Sequence, residues 1–281
     1  MPPRVTIITG ASSGIGLATS VALAQSGDTV VATMRDPGKA KPLLRAADDA
    51  GVAVEVLRLD VTDNGSVNEC VGTVLERHGT IDILVNNAGV GCSGTLEELS
   101  VDDFSRSLDV NFLGAVRTTK AVLPCMRAAG RGHVIAVSSI AGVFGQPFND
   151  AYCAAKFALE GLFEALSPVA AAFGVHVSVV EAGPVTGHFQ ERSGGMQDRA
   201  ASSPFLPLWD QFSGVADQGY ESAQTPQAIA DAIVAVTADP APALRYQSSS
   251  SVKRLLGVKL ADLSGERVTG MTRSWLHSSA G

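Results

Sequence analysis

The amino-acid sequence predicts an α/β fold, a doubly wound parallel sheet of about seven strands in a single domain. Three observations carry that expectation. Short β-branched runs alternate with longer helical patterns, the runs are apolar on both faces, and the first run ends in a glycine-rich turn. Strands buried on both faces and separated by helices form parallel β-α-β units. Right-handed crossovers then place helices on both sides of the sheet. Ligands in such sheets bind beyond the carboxyl ends of the strands, where the strand order reverses.

The elements follow in order. Residues 5–9 (VTIIT) read as the first strand and residues 14–25 as the helix after the glycine turn. Residues 29–34 (TVVATM) and 54–59 (VEVLRL) are the next strands, with a helix at 39–50 between them. A helix at 66–77 leads to the strand 83–86 (ILVN), and a long helical pattern at 102–129 leads to the strand 133–137 (HVIAV). The helix 151–173 precedes the strand 175–180 (VHVSVV), and the helix 226–238 precedes the last strand, 243–247.

Two stretches break the alternation. Residues 184–225 form a connection far longer than the usual 2–6 residues. They carry Phe205, Leu206, Leu208, Trp209 and Phe212 among prolines and glycines. This reads as a mobile substrate flap over an apolar pocket, with Phe205, Leu206 and Trp209 as candidate substrate contacts. The C-terminal extension, 248–281, mixes Leu255, Leu256, Leu260 and Leu263 with Lys253, Arg254 and Lys259. An amphipathic tail of that kind packs on its own domain or on a subunit more often than on a membrane surface.

Composition removes several function classes. With 46% hydrophobic and 17% charged residues, the chain can bury a sizeable core and is not disordered. A net charge of −7 argues against a nucleic-acid partner, which needs a basic face. An anionic cofactor stays compatible, because local amides and one arginine matter more there than net charge. Cys70, Cys92, Cys125 and Cys153 show neither CxxC nor zinc spacing, and the five histidines form no ligand pattern, so no metal is expected. The cysteines read as buried small hydrophobes. No apolar run approaches the ~20 residues of a membrane span, and a cytoplasmic location is expected.

The first strand runs into Thr9-Gly10-Ala11-Ser12-Ser13-Gly14-Ile15-Gly16. Glycines at 10, 14 and 16 let the chain turn tightly, so that the segment Gly10, Ser12, Ser13, Gly14, Ile15 and Gly16 can bring amides to a pyrophosphate. The helix that follows points its positive end at that charge. A glycine turn alone is weak, but one that follows a strand and opens a helix reads as a dinucleotide site of Rossmann-like type. An NAD site places a carboxylate at the end of the second strand. Here that strand ends Met34-Arg35-Asp36. Arg35 can pair with a 2′-phosphate and Ser13 can donate to it, whereas Asp36 is the competing residue. NADP(H) is therefore favoured, with NAD(H) possible.

Lys156 follows Tyr152 by four residues on a helical pattern, which puts both on one face. A free phenol has a pKa of about 10. A neighbouring ammonium stabilises the phenolate and suits the pair to acid–base work. Ser139 lies 13 residues before Tyr152 at a strand's carboxyl end, Asn86-Asn87-Ala88-Gly89 ends the fourth strand, and Asn111 lies in the helix between.

With these motifs in this order the sequence resembles the short-chain dehydrogenase/reductase family over nearly its whole length. It resembles in particular the branch that holds estradiol 17β-dehydrogenase type 1 and the photoreceptor all-trans-retinol dehydrogenase. The segments VATMRDPGK, NFLGAVRTTKAVLP, PFNDAYCAAKFALEGL and FGVHVSVVEAGPV carry that likeness. The resemblance implies that Tyr152 is the general acid for reduction and the base for oxidation. It implies that Lys156 binds the nicotinamide ribose, Ser139 rather than Ser138 bonds the substrate oxygen, and Asn111 holds a relay water. Asp60 and Val61 would border the adenine, Asn87, Ala88 and Gly89 the adenosine ribose and nicotinamide side, and Pro184 and Val185 the nicotinamide. Where the family has a carboxamide-binding threonine this chain has Gly187, with Thr186 one place early as its candidate replacement. The implied activity is interconversion of an alcohol and its carbonyl on a bulky hydrophobic, steroid- or retinoid-like substrate, in a homodimer or homotetramer. The alternatives are a reductase of smaller ketones or oxoacyl groups and a catalytically silent NADP(H)-binding sensor.

Overall fold

The computed structural model describes residues 3–187, 203–221, 223–262 and 264–275. Among them, β1 (Val5–Ile8), β2 (Thr29–Met34), β3 (Glu55–Arg58), β4 (Ile83–Asn86), β5 (Gly132–Ser139), β6 (Val175–Ala182) and β7 (Arg245–Gln247) form one sheet. Its order is β3-β2-β1-β4-β5-β6-β7, and every pairing is parallel. The order therefore reverses between β1 and β4, which sets a crevice at their carboxyl ends.

Helices cover both faces, as the apolar runs require. On one face α1 (Gly14–Gln25), α2 (Lys41–Asp49) and α8 (Pro226–Ala238) bury Leu23, Leu43, Ile229 and Ile233 against Ile8, Val30, Val85 and Ile135. On the other, α3 (Asn64–His78), α5 (Gly114–Ala129) and α6 (Asp150–Ala171) bury Val74, Met126, Leu159 and Phe163 against Ile7, Leu84, Val134 and Val177. Phe163 is fully buried; truncating such a ring to alanine costs about 3–5 kcal/mol.

Three findings refine the sequence expectation. The single helix expected at 102–129 is α4 (Val101–Leu108) and α5 joined by a π-helical turn, Asp109–Leu113. The long connection 184–225 contains α7 (Leu206–Glu221), a helix whose Phe212 is buried against Phe148. Its Gly214 and Gly219 hid the helix from a propensity reading. Residues 188–202, His188 among them, lie outside the described residues. The C-terminal extension forms α9 (Ser250–Leu260) and α10 (Glu266–Ser274), which pack Val252, Leu256 and Val268 on Ile140 and Phe144 of their own domain. Leu263 and His277 lie outside the described residues. Cys70, Cys92 and Cys153 are buried and Cys125 half-buried, with Cys70 and Cys153 pushed up to about 11 by desolvation, so they pack as small hydrophobes.

Candidate active site

The glycine turn is laced to the end of β4. Thr9 Oγ1 accepts the amides of Asn87 and Ala88, each at 3.0 Å. Asn87 Nδ2 donates back to the carbonyls of Thr9 (2.9 Å) and Gly10 (3.2 Å). The turn thus fits against its neighbour with no room for a side chain at Gly10 or Gly16. Gly10 sits at φ +71°, and a Cβ there would lie 2.8 Å from Ala88 Cα; a Cβ on Gly16 would lie 2.5 Å from Asn87 Nδ2. Ser12, Ser13 and Ile15 are half-buried in the same turn, and Gly14 is exposed. Ser13 is the N-cap of α1 but makes no side-chain cap, so the orphan amides of that turn are open to an anion. These residues fit a dinucleotide pyrophosphate.

The neighbouring strand ends carry charge. Arg35 is exposed just past β2. Asp36 is exposed, and its Oδ1 accepts from Gly38 N at 3.0 Å and caps the 3-10 turn Pro37–Lys39. Asp60, past β3, accepts from Thr62 N (3.0 Å) and Thr62 Oγ1 (2.8 Å). Burial opposes its ionisation, but these bonds and the fields of Arg35 and Arg58 outweigh it and hold the carboxyl below its usual range. Val61 is buried, and its carbonyl accepts from Arg117 Nη1 at 3.1 Å. Arg117 also reaches Asp109 Oδ1 at 2.6 Å and Asp109 O at 3.3 Å. One arginine therefore ties the loop at Asp60–Val61 to the π-helical turn.

That turn presents Asn111, which is 2% exposed. Its Oδ1 accepts from Val90 N (3.0 Å), and its Nδ2 donates to Val90 O (2.9 Å) and Ser107 O (3.0 Å). The Asn111 side chain thus fixes the chain after Gly89, where a Cβ would come within 2.8 Å of Asn111 Oδ1. With the side chain so engaged, a water at this position would have to be held by the main chain. Single-turn π insertions concentrate at functional sites.

At the end of β5 the two serines separate. Ser138 is 3% exposed and faces inward, while Ser139 is half-buried, accepts from Ala141 N at 3.2 Å and stays at the rim. Tyr152 stands in the first turn of α6, with Lys156 Nζ 5.7 Å from its ring centroid. Lys156 Nζ donates to Val137 O at 2.8 Å, two residues before Ser139. Desolvation draws its pKa down to about 8, against an opposing pull from Glu160. The fold thus brings Ser139, Tyr152 and Lys156 to one strand edge, with Asn111 on the adjoining π turn.

The other predicted residues frame this edge. Past β6, Pro184 O accepts from Gln224 N and Thr186 N donates to Gln224 O, both at 2.9 Å, and Val185 makes a β-bridge to Gln224. Ser248 Oγ donates to Gln224 Oε1 at 2.5 Å and accepts from Gly183 N. Thr186 is exposed, its hydroxyl 3.5 Å from Gln224 O. Gly187 lies at φ +131°, a backbone a threonine would adopt only under strain, which explains the glycine. Phe205, Leu206 and Trp209 meet Phe148, Phe212 and Trp275 in an aromatic cluster. The ring centroids of Phe148 and Trp209 are 5.3 Å apart. Phe148 is the non-glycine residue held at positive φ (60°) among the described residues, with Gly94 N donating to its carbonyl at 2.7 Å. Such strain costs about 1–3 kcal/mol and gathers at functional sites.

Sequence reasoning did not assign Thr9, Arg117, Glu160, Gln224 or Ser248. Each acts through a partner distant in sequence, and no local spacing signals it.

Comparison with known proteins shows the family. A family description, short chain dehydrogenase, matches residues 4–197. The chain is 40% identical to human 17-beta-hydroxysteroid dehydrogenase type 1 over 97% of this chain and 86% of that protein. It is 40% identical to human retinol dehydrogenase 8 over 94% of this chain and 87% of that protein. A crystal structure of a short-chain dehydrogenase from Streptomyces avermitilis superposes with a TM-score of 0.79 at 32% identity, covering 97% of both chains. Members of this family bind nicotinamide cofactors. On the matched motifs, the shared fold and this degree of identity, the chain belongs to the short-chain dehydrogenase family of oxidoreductases.

Proposed function

We propose that the chain interconverts an alcohol and its carbonyl with NADP(H), on a bulky hydrophobic substrate of steroid or retinoid kind. The observation that carries this reading is the Tyr152 ring with Lys156 Nζ 5.7 Å from its centroid, beside Ser139 at the open end of β5. The nicotinamide, when bound, supplies or takes the hydride. Tyr152 gives its phenolic proton to the carbonyl oxygen in reduction and takes the hydroxyl proton in oxidation. Lys156 steadies the phenolate and holds the nicotinamide ribose. Ser139 orients the substrate oxygen, and the π turn at Asn111 holds a relay water. Gly10 through Gly16 hold the pyrophosphate; Asp60, Val61 and Asn87 through Gly89 border the adenosine; Pro184, Val185 and Thr186 border the nicotinamide.

Two arrangements favour the 2′-phosphate. Arg35 stands exposed at the β2 end, and one oxygen of Asp36, which would favour a free 2′-hydroxyl, already accepts from Gly38. The aromatic cluster of Phe148, Phe205, Trp209 and Phe212, together with the names of the two human relatives, favours a large apolar substrate. The outer face of α6, where Phe157 and Val169 are exposed, and the exposed Leu113 that ends the π-helical turn suit a homodimer or homotetramer. No helix among the described residues is long and apolar enough to cross a membrane.

The test compares kcat/KM for NADP(H) and NAD(H) with steroid, retinoid and small-ketone substrates in wild type and Arg35→Ala. Wild type should prefer NADP(H). Losing one charge-assisted contact, about 1.5–3 kcal/mol, should weaken that preference by roughly tenfold to a hundredfold. A wild type preferring NAD(H), or turning over small ketones alone, contradicts the reading.

A further inference from the structure

Behind Lys156 lies a buried charge cluster that hydride chemistry does not itself require. Glu160 follows Lys156 by one helical turn and is 5% exposed. Its Oε2 accepts from Arg245 Nε of β7 at 3.2 Å, and its Oε1 has no hydrogen-bond partner among the described residues. The same Nε lies 3.5 Å from Oε1 of Glu181, a β6 residue that is 1% exposed. Arg245 Nη2 also reaches the exposed Glu164 at 2.5 Å, and Gln247 Nε2 donates to Glu181 Oε2 at 2.6 Å. Ser138, Glu181 and Gln247 stand in register across β5, β6 and β7. Gly142 closes the cluster from above; a Cβ there would lie 2.6 Å from Ser138 Oγ and 3.0 Å from Glu160 Cγ.

The charges do not balance within this group. Three carboxylates share one guanidinium, and two of the three are buried. A buried carboxylate persists only when opposite charge or hydrogen bonds compensate it. Among the described residues, the buried cation that feels Glu160 is Lys156, four residues back on the same helix, whose own hydrogen bond goes to the neutral Val137 carbonyl. Tyr152 and Glu160 flank Lys156 on α6; beyond Glu160 the polar groups are Glu164 on α6, Ser138 on β5, Glu181 on β6, and Arg245 and Gln247 on β7.

We propose that Glu160 is a positioning residue of the active site: its carboxylate, anchored by Arg245, is the buried counter-charge that keeps Lys156 cationic. The proposal rests on the Tyr152–Lys156 reading above. It makes the three-residue edge strand β7 part of the electrostatics of proton transfer. Burial and Glu160 pull the lysine in opposite directions, so removing the carboxylate should leave burial to act alone.

The experiment titrates Lys156 by NMR of protein labelled with 13Cε-lysine, in wild type, Glu160→Gln and Glu160→Asp. The Glu160→Gln midpoint should fall by about half a pH unit or more, because a nearby opposite charge favours the ionised lysine. Glu160→Asp keeps the charge and should stay near wild type. The alkaline limb of kcat/KM for alcohol oxidation should move to lower pH with the Glu160→Gln midpoint. An unmoved midpoint in Glu160→Gln, or an equal shift in Glu160→Asp, overturns the proposal. If Glu160→Gln does not fold, Glu181→Gln should give a smaller shift of the same sign, and no shift there overturns it. Retained turnover in Tyr152→Phe with a shifted Lys156 midpoint would defeat the catalytic reading instead and leave the counter-charge standing.

Discussion

Replacing Thr9 by valine removes one hydroxyl while keeping the volume and the β-branch. Thr9 is 1% exposed, and its Oγ1 is the acceptor for two backbone amides, those of Asn87 and Ala88. Each amide left without a partner costs about 1–3 kcal/mol. Both residues are half-buried, so water can recover part of that loss, and a total of about 2–4 kcal/mol follows. At about 2 °C per kcal/mol for a domain of this size, Tm should fall by about 4–8 °C. Urea unfolding followed by circular dichroism measures the stability directly, and Thr9→Ser, which keeps the hydroxyl, is the control. The same change loosens the glycine turn, so KM for the cofactor should rise in Thr9→Val and not in Thr9→Ser. A Thr9→Val stability within about 0.5 kcal/mol of wild type, the scatter of ordinary surface substitutions, would mean that the two amides do not depend on the Thr9 hydroxyl.

Two further outcomes are expected. His133 is buried, with Nε2 2.9 Å from Ser178 Oγ, and desolvation, aided by His176 and Arg4, pulls its pKa from 6.5 to about 4. The fold holds the neutral ring, so its contribution is complete above pH 6.5 and is lost as the unfolded chain takes up protons between pH 6.5 and about 4. Unfolding free energies measured across that window should decline less steeply in His133→Asn than in wild type; equal slopes contradict the assignment. For assembly, sedimentation at micromolar concentration should show a dimer or tetramer that Phe157→Glu, on the exposed face of α6, weakens. A wild-type monomer contradicts the interface.

The central strands β1, β2 and β4 were legible because they are rich in β-branched residues and apolar on both faces, and β2 and β4 begin and end where that pattern does. The glycine turn, Ser139, Tyr152 and Lys156 were legible for a different reason: each is fixed by short-range spacing at a strand end or on one helix face. What stayed hidden depends on contacts between distant segments. The π turn at Asp109–Leu113 keeps a helical pattern on both sides, and its extra residue is held open by Arg117 and Asn111 reaching Val61 and Val90. The helix α7 hid among glycines because its stability comes from Phe212 packing on Phe148 rather than from propensity. The Glu160–Arg245–Glu181 cluster joins residues 85 positions apart at its widest recorded bond, and the local pattern around none of them marks it as buried.

The reading of Tyr152 as the proton-transfer residue stands or falls with the variant Tyr152→Phe. The variant keeps the ring beside Lys156 and loses only the hydroxyl. Cofactor binding, read by fluorescence of the bound reduced nicotinamide, should stay near wild type. Steady-state turnover of a hydrophobic alcohol should fall by about 10²–10⁴, the range that one acid–base group supplies. Turnover within roughly tenfold of wild type, with the cofactor still bound, would contradict the account.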